Sequence, residues 1–521
     1  MAKETPPQHI PMTSVEKETE DKPVFSSASS TTPVQQLDSF DTIDDRYSDD
    51  QSRDPPSRNL KKSLPQFFVL PHLFTKNAWI LLGITTAITI IYIWLYLGSL
   101  WNPFSRVKSF SVVIYNGDAG FDYTQTPQQL TPVFQAITGN SSLGSLVEKQ
   151  IMDPQGVLNH VVTWIDKSQE TWDRDSLLKL VDSGDVWGVV YIPTNFSSNF
   201  LSYAPTNAGP ATAATVKPAA FEYIFDQGRS YGTHSILEKA VSRSMEALCK
   251  GFERNLLASP ANQTLLQNMH PSLWIQAISM TETVMHPVLV YGQNFATYVS
   301  FIVLYIGAVL TVYTTSKFLP NTVETIGVLD GFENNYDGPD KTPRPTKFPA
   351  LRIALARFNV GAIFSTIHCI FIWMTPQVMN NHQISDKYNA GIAFAFIWMV
   401  GKAFNSVLFL MAQVLTVDGF QIPATVFMLL MFTSSGGILD WTVMPGFFRI
   451  GKAFPFTYAV KGMKTIYFGT LTDDMWINWV AISAWIVVPL GLTLILARSD
   501  VRLRREEMRQ KSRAQSAIEL Q

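Results

Sequence analysis

"AWILLGITTAITIIYIWLYL", Ala78 to Leu97, carries no ionisable side chain over its twenty positions. About twenty helical residues, rising 1.5 Å each, cross a hydrocarbon core of ~30 Å. In oil every backbone N–H and C=O must find its partner inside the segment, so the stretch predicts a membrane-spanning helix. Five more apolar runs follow, at 296–316, 353–375, 389–412, 420–439 and 477–497. A core helix of a soluble protein explains one such run but not six. The fold expected is therefore a polytopic α-helical membrane protein with six transmembrane helices.

Between the first and second runs lie almost two hundred polar residues, 98–295, enough for a domain with its own core. Strand-like stretches rich in β-branched and aromatic residues occur at Phe110 to Tyr115, Val186 to Ile192 and Ala219 to Phe225. A helical stripe follows over Thr233 to Ala258, with Leu237, Val241, Met245, Leu248, Phe252 and Leu256 recurring every three to four residues. The stretch predicts an α+β extracellular domain inserted between helices 1 and 2. Its only sequons, at Asn140, Asn195 and Asn262, make those asparagines glycosylation candidates and predict that the domain lies outside. The two ends read differently. Arg53, Arg58, Lys61, Lys62 and Lys76 precede the first span, and seven cations from Arg498 to Arg513 follow the last, so both termini are expected in the cytoplasm.

Residues 1–65 are rich in Ser, Thr, Pro and acids and predict a disordered cytoplasmic tail. Residues 66–97 comprise an amphipathic interfacial lead-in, "LPQFFVLPHLF", and the first span. Residues 296–497 form a five-helix membrane region, and 498–521 a basic cytoplasmic tail. The mixed-charge segment 317–352 is the largest cytoplasmic loop expected and the place where an ATPase subunit would have to bind. Apolar residues make up 46% and charged ones 16%, with a net charge of -2, so no basic excess points to nucleic acid. Two cysteines, Cys249 and Cys369, fall on different sides of the expected membrane boundary, so no disulfide is predicted.

Chemistry-bearing residues concentrate in two places. Lys402 lies deep in the fourth span, where an ammonium costs ~2.5–3.5 kcal/mol, and Asn405, Ser406 and Gln413 share its helical face. Ser365 and His368 on the third span, with Thr433, Ser434 and Ser435 on the fifth, complete a polar lining that reads either as a transport path or as interhelical hydrogen-bond glue. The second place is "GGILDWTVMPGFFRIGKAFPFTYAVKGMKTIYFG", Gly436 to Gly469. Its aromatic residues alternate with Arg449, Lys452, Lys461 and Lys464, while Pro445 and Pro455 break any single helix. It predicts an interfacial or re-entrant hairpin over 440–470, with cations at headgroup level and rings in the acyl boundary. "GFFRIGKA" mimics a phosphate loop but places Ala453 where a Ser or Thr hydroxyl must bind magnesium. There is no HExxH, GxSxG or paired-cysteine signature. Neither an enzyme, a cofactor nor a metal site is expected.

One span, a large external domain and five spans, in that order, resemble type-2 ABC permeases and phage-infection-protein-like permeases. "VVIYNGD" after the first span, "WGVVYIPTNFSSNF" (Trp187 to Phe200) and the "GG…P…FPFTY" ending carry the resemblance. With its polar leader and its length, the chain resembles more closely the fungal nitrosoguanidine-resistance membrane proteins. The resemblance implies a multi-pass plasma-membrane protein linked to drug or mutagen tolerance, a homodimer, and a separate ATPase subunit if transport is powered. The function expected is export, or movement between leaflets, of an amphipathic compound or lipid. The alternative is a non-transporting scaffold that organises lipids and binds a partner through its outer domain.

Overall fold

The computed structural model describes residues 76–519 apart from 101, 126–130, 132–140, 157, 205, 207–209, 212–215, 259–268, 271–276, 326–331, 334–343, 346–348 and 380–383. The leader, the interfacial lead-in, Asn140, Asn262 and most of the expected cytoplasmic loop lie outside the described residues. The described residues are mostly helical, with a five-stranded sheet and a two-stranded pairing of Phe332–Glu333 with Arg344–Pro345.

Helix α1, Lys76–Leu100, leads through the 3-10 turn Pro103–Ser109 into the sheet domain. There the strands are β1 (Ser111–Asn116), β2 (Thr163–Asp166), β3 (Gly188–Ile192), β4 (Ala219–Asp226) and β5 (Ile278–Met285), in spatial order β2-β1-β3-β4-β5. β1 runs parallel to β2 and β3, β3 antiparallel to β4, and β4 parallel to β5. The parallel pairs are joined through helices α2 (Leu143–Met152), α3 (Arg174–Asp182) and α5 (Tyr231–Ala258), because parallel strands need a crossover. The connections are thus interleaved strand and helix, closer to α/β than to the segregated α+β arrangement expected. Alternation along the strands divides two cores. Val112, Ile114, Val190, Ile192, Phe221 and Tyr223 face α2, α5 and the short helix α4 (Phe196–Leu201), whereas Val113, Val189 and Ile224 face Leu177 and Val181 of α3.

Two of the motifs behind the resemblance meet here. Asp118 of "VVIYNGD" accepts from Gly144 N at 2.8 Å at the start of α2, and from Ser197 N at 3.0 Å and Ser197 Oγ at 2.5 Å at the start of α4. One carboxylate therefore satisfies orphan amides at two helix N-termini, where negative charge is favoured. The motifs stabilise the domain.

Among the described residues, four helices are long and apolar enough to cross a membrane: Gly292–Lys317 within α6 (Tyr291–Thr325), Leu355–Pro376 within α7 (Pro349–Met379), α8 (Ala390–Leu415), and Thr472–Ser499, largely in α11 (Met475–Glu519). The bent pair of α1 and Pro103–Ser109 makes a fifth if it is taken as one span. Asn389 caps α8, its Oδ1 accepting from Ile392 N at 2.9 Å. α8 is the central, mostly buried helix, while α7 and α11 present broad apolar faces outward.

The fifth expected span, 420–439, holds a shorter apolar helix. Helix α9, Gln421–Ser434, has fourteen residues, only ~21 Å. It stops because Gly436 takes φ 72, and Trp441 Nε1 donates to the Ser434 carbonyl at 2.7 Å, so the chain turns back. Thr433 Oγ donates to Leu429 O at 2.8 Å, and the Ser434 and Ser435 hydroxyls bond Leu430 O and Phe432 O. Those hydroxyls bond carbonyls of α9 itself.

Beyond the turn, Leu439, Trp441, Val443, Met444 and Phe448 enter the larger core of the sheet domain. Helix α10, Pro455–Phe468, then packs against α11, α8 and α6. The sheet domain and the helices are joined through this segment.

Candidate functional site

Buried polar groups gather at two places, the seam between α7 and α8 and the junction between the sheet domain and α10.

In the seam, Lys402 Nζ donates to Ala362 O at 2.5 Å and to Thr366 Oγ1 at 3.2 Å, and lies 4.8 Å from the centre of the Trp398 ring. Trp398 Nε1 donates to the same threonine at 2.9 Å. Asn405 Nδ2 reaches Gly361 O at 3.3 Å, while its Oδ1 is buried without a hydrogen-bond partner. Ser406 Oγ turns back to Lys402 O at 2.9 Å. Gln413 meets Arg357 Nη1 at 3.3 Å towards one end of α8. Ser365 lies where α8 comes closest: a Cβ on Gly401 would stand 2.9 Å from both Ser365 Oγ and Cys369 Sγ. His368 is not part of this seam. It faces α6, with Nδ1 at 2.9 Å from a Cβ built on Gly307 and no hydrogen-bond partner. Thr366, Trp398 and Arg357 complete the seam and were not singled out from the sequence. Thr366, a polar residue one turn from Ala362 within an apolar run, was the available signal.

The hairpin cations separate into two groups. Arg449 and Lys452 are exposed on the 3-10 turn Gly446–Ala453, beside exposed Phe447 and Ile450, an arrangement compatible with an interface. Lys461 is partly buried and Lys464 buried, so the four cations do not share one environment. Pro455 opens α10 at its first turn, where its missing N–H is harmless. Lys464 Nζ donates to Gly437 O at 3.0 Å and Arg229 O at 3.4 Å. The sheet domain docks onto α10 at this point and covers the lysine.

Arg229, Lys461 and Lys464 line a cavity of about 110 Å³, together with Asp440, Asp474 and Trp441. Its rim residues Ser183 and Asp474 are exposed. The Arg229 guanidinium lies 3.9 Å from the Trp187 ring centre and donates to Val186 O at 3.0 Å. Lys452 and Lys461 flank the Trp441 ring at 5.3 and 5.0 Å. Burial pulls the Lys464 ammonium down to about 8, against the opposing pull of Asp440. Burial also lowers Lys461 and Arg229.

A second polar contact fastens the same junction. His286, at φ 48 after β5, has Nδ1 3.3 Å from Asp226 Oδ2 and Nε2 3.8 Å from Asp182 Oδ1. Thr470, following α10, bonds Asp226, and Lys387, preceding α8, lies 4.0 Å from Asp182. Two carboxylates on opposite sides of one ring suit an imidazolium. Burial opposes its charge, but the Asp226 and Asp182 carboxylates outweigh burial and raise the His286 pKa.

Asn195 is exposed at the start of α4, whereas Ser197 of its sequon is buried on Asp118. Cys249 and Cys369 are both buried and unpaired.

A family model described as "Protein of unknown function (DUF3533)" matches residues 80–491, and the chain belongs to that family. The match runs from α1 through the sheet domain to α11. No curated protein and no solved structure matches the chain.

Proposed function

We propose that this chain is a permease-like plasma-membrane protein that moves an amphipathic compound or lipid between leaflets. The reading uses six membrane passages, one of them supplied by the short helix α9, both termini cytoplasmic and the sheet domain outside. The observation that carries it is the buried polar row of α8, in which Asn405 Oδ1 has no partner within a membrane-crossing helix. An unpaired buried acceptor costs about 1–3 kcal/mol, so the seam holds a group that a second packing of α7 on α8, admitting water or a polar cargo, would satisfy. Its resemblance to nitrosoguanidine-resistance and type-2 ABC permeases supports the same reading, with a homodimer and a separate ATPase as its natural partners.

The test is flux. Purified chain in liposomes is expected to speed the loss of leaflet asymmetry of a fluorescent phospholipid, and Lys402→Met to slow it at least about tenfold while the protein remains folded. Inert wild-type vesicles would remove the proposal. The second reading, a non-transporting scaffold, is favoured by the full set of partners that Lys402 itself has found. Inert vesicles together with a stoichiometric co-purified partner would select it.

A further inference from the structure

Arg229, Lys461 and Lys464 share the junction cavity with the carboxylates Asp440 and Asp474, which act on them across more than ion-pair distance. Among the described residues no carboxylate lies within 4.0 Å of Arg229, Lys461 or Lys464, although Asp440 and Asp474 line the same space. Asp440 is occupied with its own turn, its Oδ1 accepting from Thr442 N at 2.9 Å and Thr442 Oγ1 at 2.5 Å. Lys464 has three donor hydrogens and two carbonyl partners, one of them long. Lys461 rests on an aromatic face. A buried cation is ordinarily paired, and here the buried Lys464, with the partly buried Arg229 and Lys461, borders a space empty of protein.

We infer that this cavity binds an oxyanion of the phosphate type, either as free phosphate or as the phosphate of a lipid head group. Lys464 contacts it from the floor, Lys461 from α10 nearer the rim, and Arg229 from the turn after β4 with the planar donor fork that suits such anions. Trp441 and Trp187 keep the cations in place when the site is empty. Bringing in the anion offsets the burial that weakens each cation, so binding draws protons towards Lys464. The groups facing Lys464 are Asp226 and Arg229 from the sheet domain, Asp440 from the turn after α9, and Lys461 on its own helix. Affinity therefore falls as pH rises through about 8. The inference deepens the transport reading and rests on it only for the cargo: a chain that binds phosphate and moves nothing would still satisfy it.

Calorimetry on the full-length chain in an uncharged detergent tests the site without reading flux. The probes are inorganic phosphate, dihexanoyl phosphatidic acid and zwitterionic dihexanoyl phosphatidylcholine. Saturable binding of a phosphate-bearing anion is expected, weakened at least about fivefold in Lys461→Gln and in Arg229→Gln but not in Arg449→Gln. The Lys461 ammonium makes no hydrogen bond or ion pair among the described residues, so its variant keeps the fold even if Arg229→Gln, which loses the bond to Val186 O, does not. Equal binding of both anions identifies free phosphate as the ligand, and binding of the phosphatidic acid alone identifies a head group. Both outcomes support the site. It is overturned if the wild type binds neither anion saturably, or if Lys461→Gln binds as tightly as the wild type, or if Arg449→Gln weakens binding equally.

Discussion

Lys402 and Lys464 are almost equally buried, at 3% and 4% exposed, yet their surroundings differ in kind. Lys402 is held within two adjacent helices, by a carbonyl, a hydroxyl and an indole ring. Lys464 is held by carbonyls from two separate segments, Gly437 and Arg229, and borders a polar cavity with an exposed rim. Burial alone therefore does not mark a functional cation. What distinguishes the two is whether the protein itself completes the coordination. The seam is closed in this structure, and the junction is open.

The largest expected effect tests that closure. Gly401→Leu would drive a side chain into Ser365 and Cys369, and overpacking of this kind costs about 1–3 kcal/mol, read as a lower melting temperature in detergent. An unchanged melting temperature would mean that α7 and α8 are not tightly joined. Next, Lys402→Met keeps the apolar stem and removes the ammonium. Its melting temperature is expected to change by less than about 1 kcal/mol equivalent, because exchanging a buried charge for an apolar isostere is close to neutral. A collapse of stability would show that Lys402 serves the fold rather than the transport proposed for it.

On the junction side, Lys461→Gln is expected to leave the melting temperature within about 0.5 kcal/mol equivalent of the wild type, as partly exposed substitutions do. A larger loss would make the cavity a structural contact.

The smallest effect comes from His286. The folded state raises its pKa, so the native protein holds this proton more tightly than the unfolded chain does. The stability it contributes is complete below about pH 6.5, its unfolded value, and is lost as pH rises through the higher folded value. Melting temperature should drift down over that window in the wild type and stay flat in His286→Asn, which keeps a residue tolerant of the left-handed backbone. Parallel pH profiles would show that the histidine does not fasten the junction.

Apolar length and period were readable from the chain alone. The helices α6, α7, α8 and α11 overlie the runs expected, as do β1, β3, β4 and the α5 stripe. β2, "TWID", is too short to stand out, and β5, "ISMTETVM", alternates weakly because it is an edge strand with exposed polar residues. The seam was half legible: Lys402 and Asn405 lie on one helical face, but the partner groups Ala362 and Thr366 depend on how two helices cross. The break after Ser434 and the burial of Lys464 were not legible. Both follow from the sheet domain docking on α10 through Arg229 and Asp226, more than two hundred residues earlier in the chain. Aromatic residues interleaved with cations look the same in sequence whether lipid or a second domain covers them.

Thiol accessibility separates the two regions most directly. In a background carrying Cys249→Ala and Cys369→Ala, single-cysteine variants Lys461→Cys and Lys402→Cys are exposed to a charged, membrane-impermeant thiol reagent in intact cells. The account predicts that position 461 is modified at least about tenfold faster than position 402. Equal rates, or faster modification at position 402, would contradict a closed seam and an open junction.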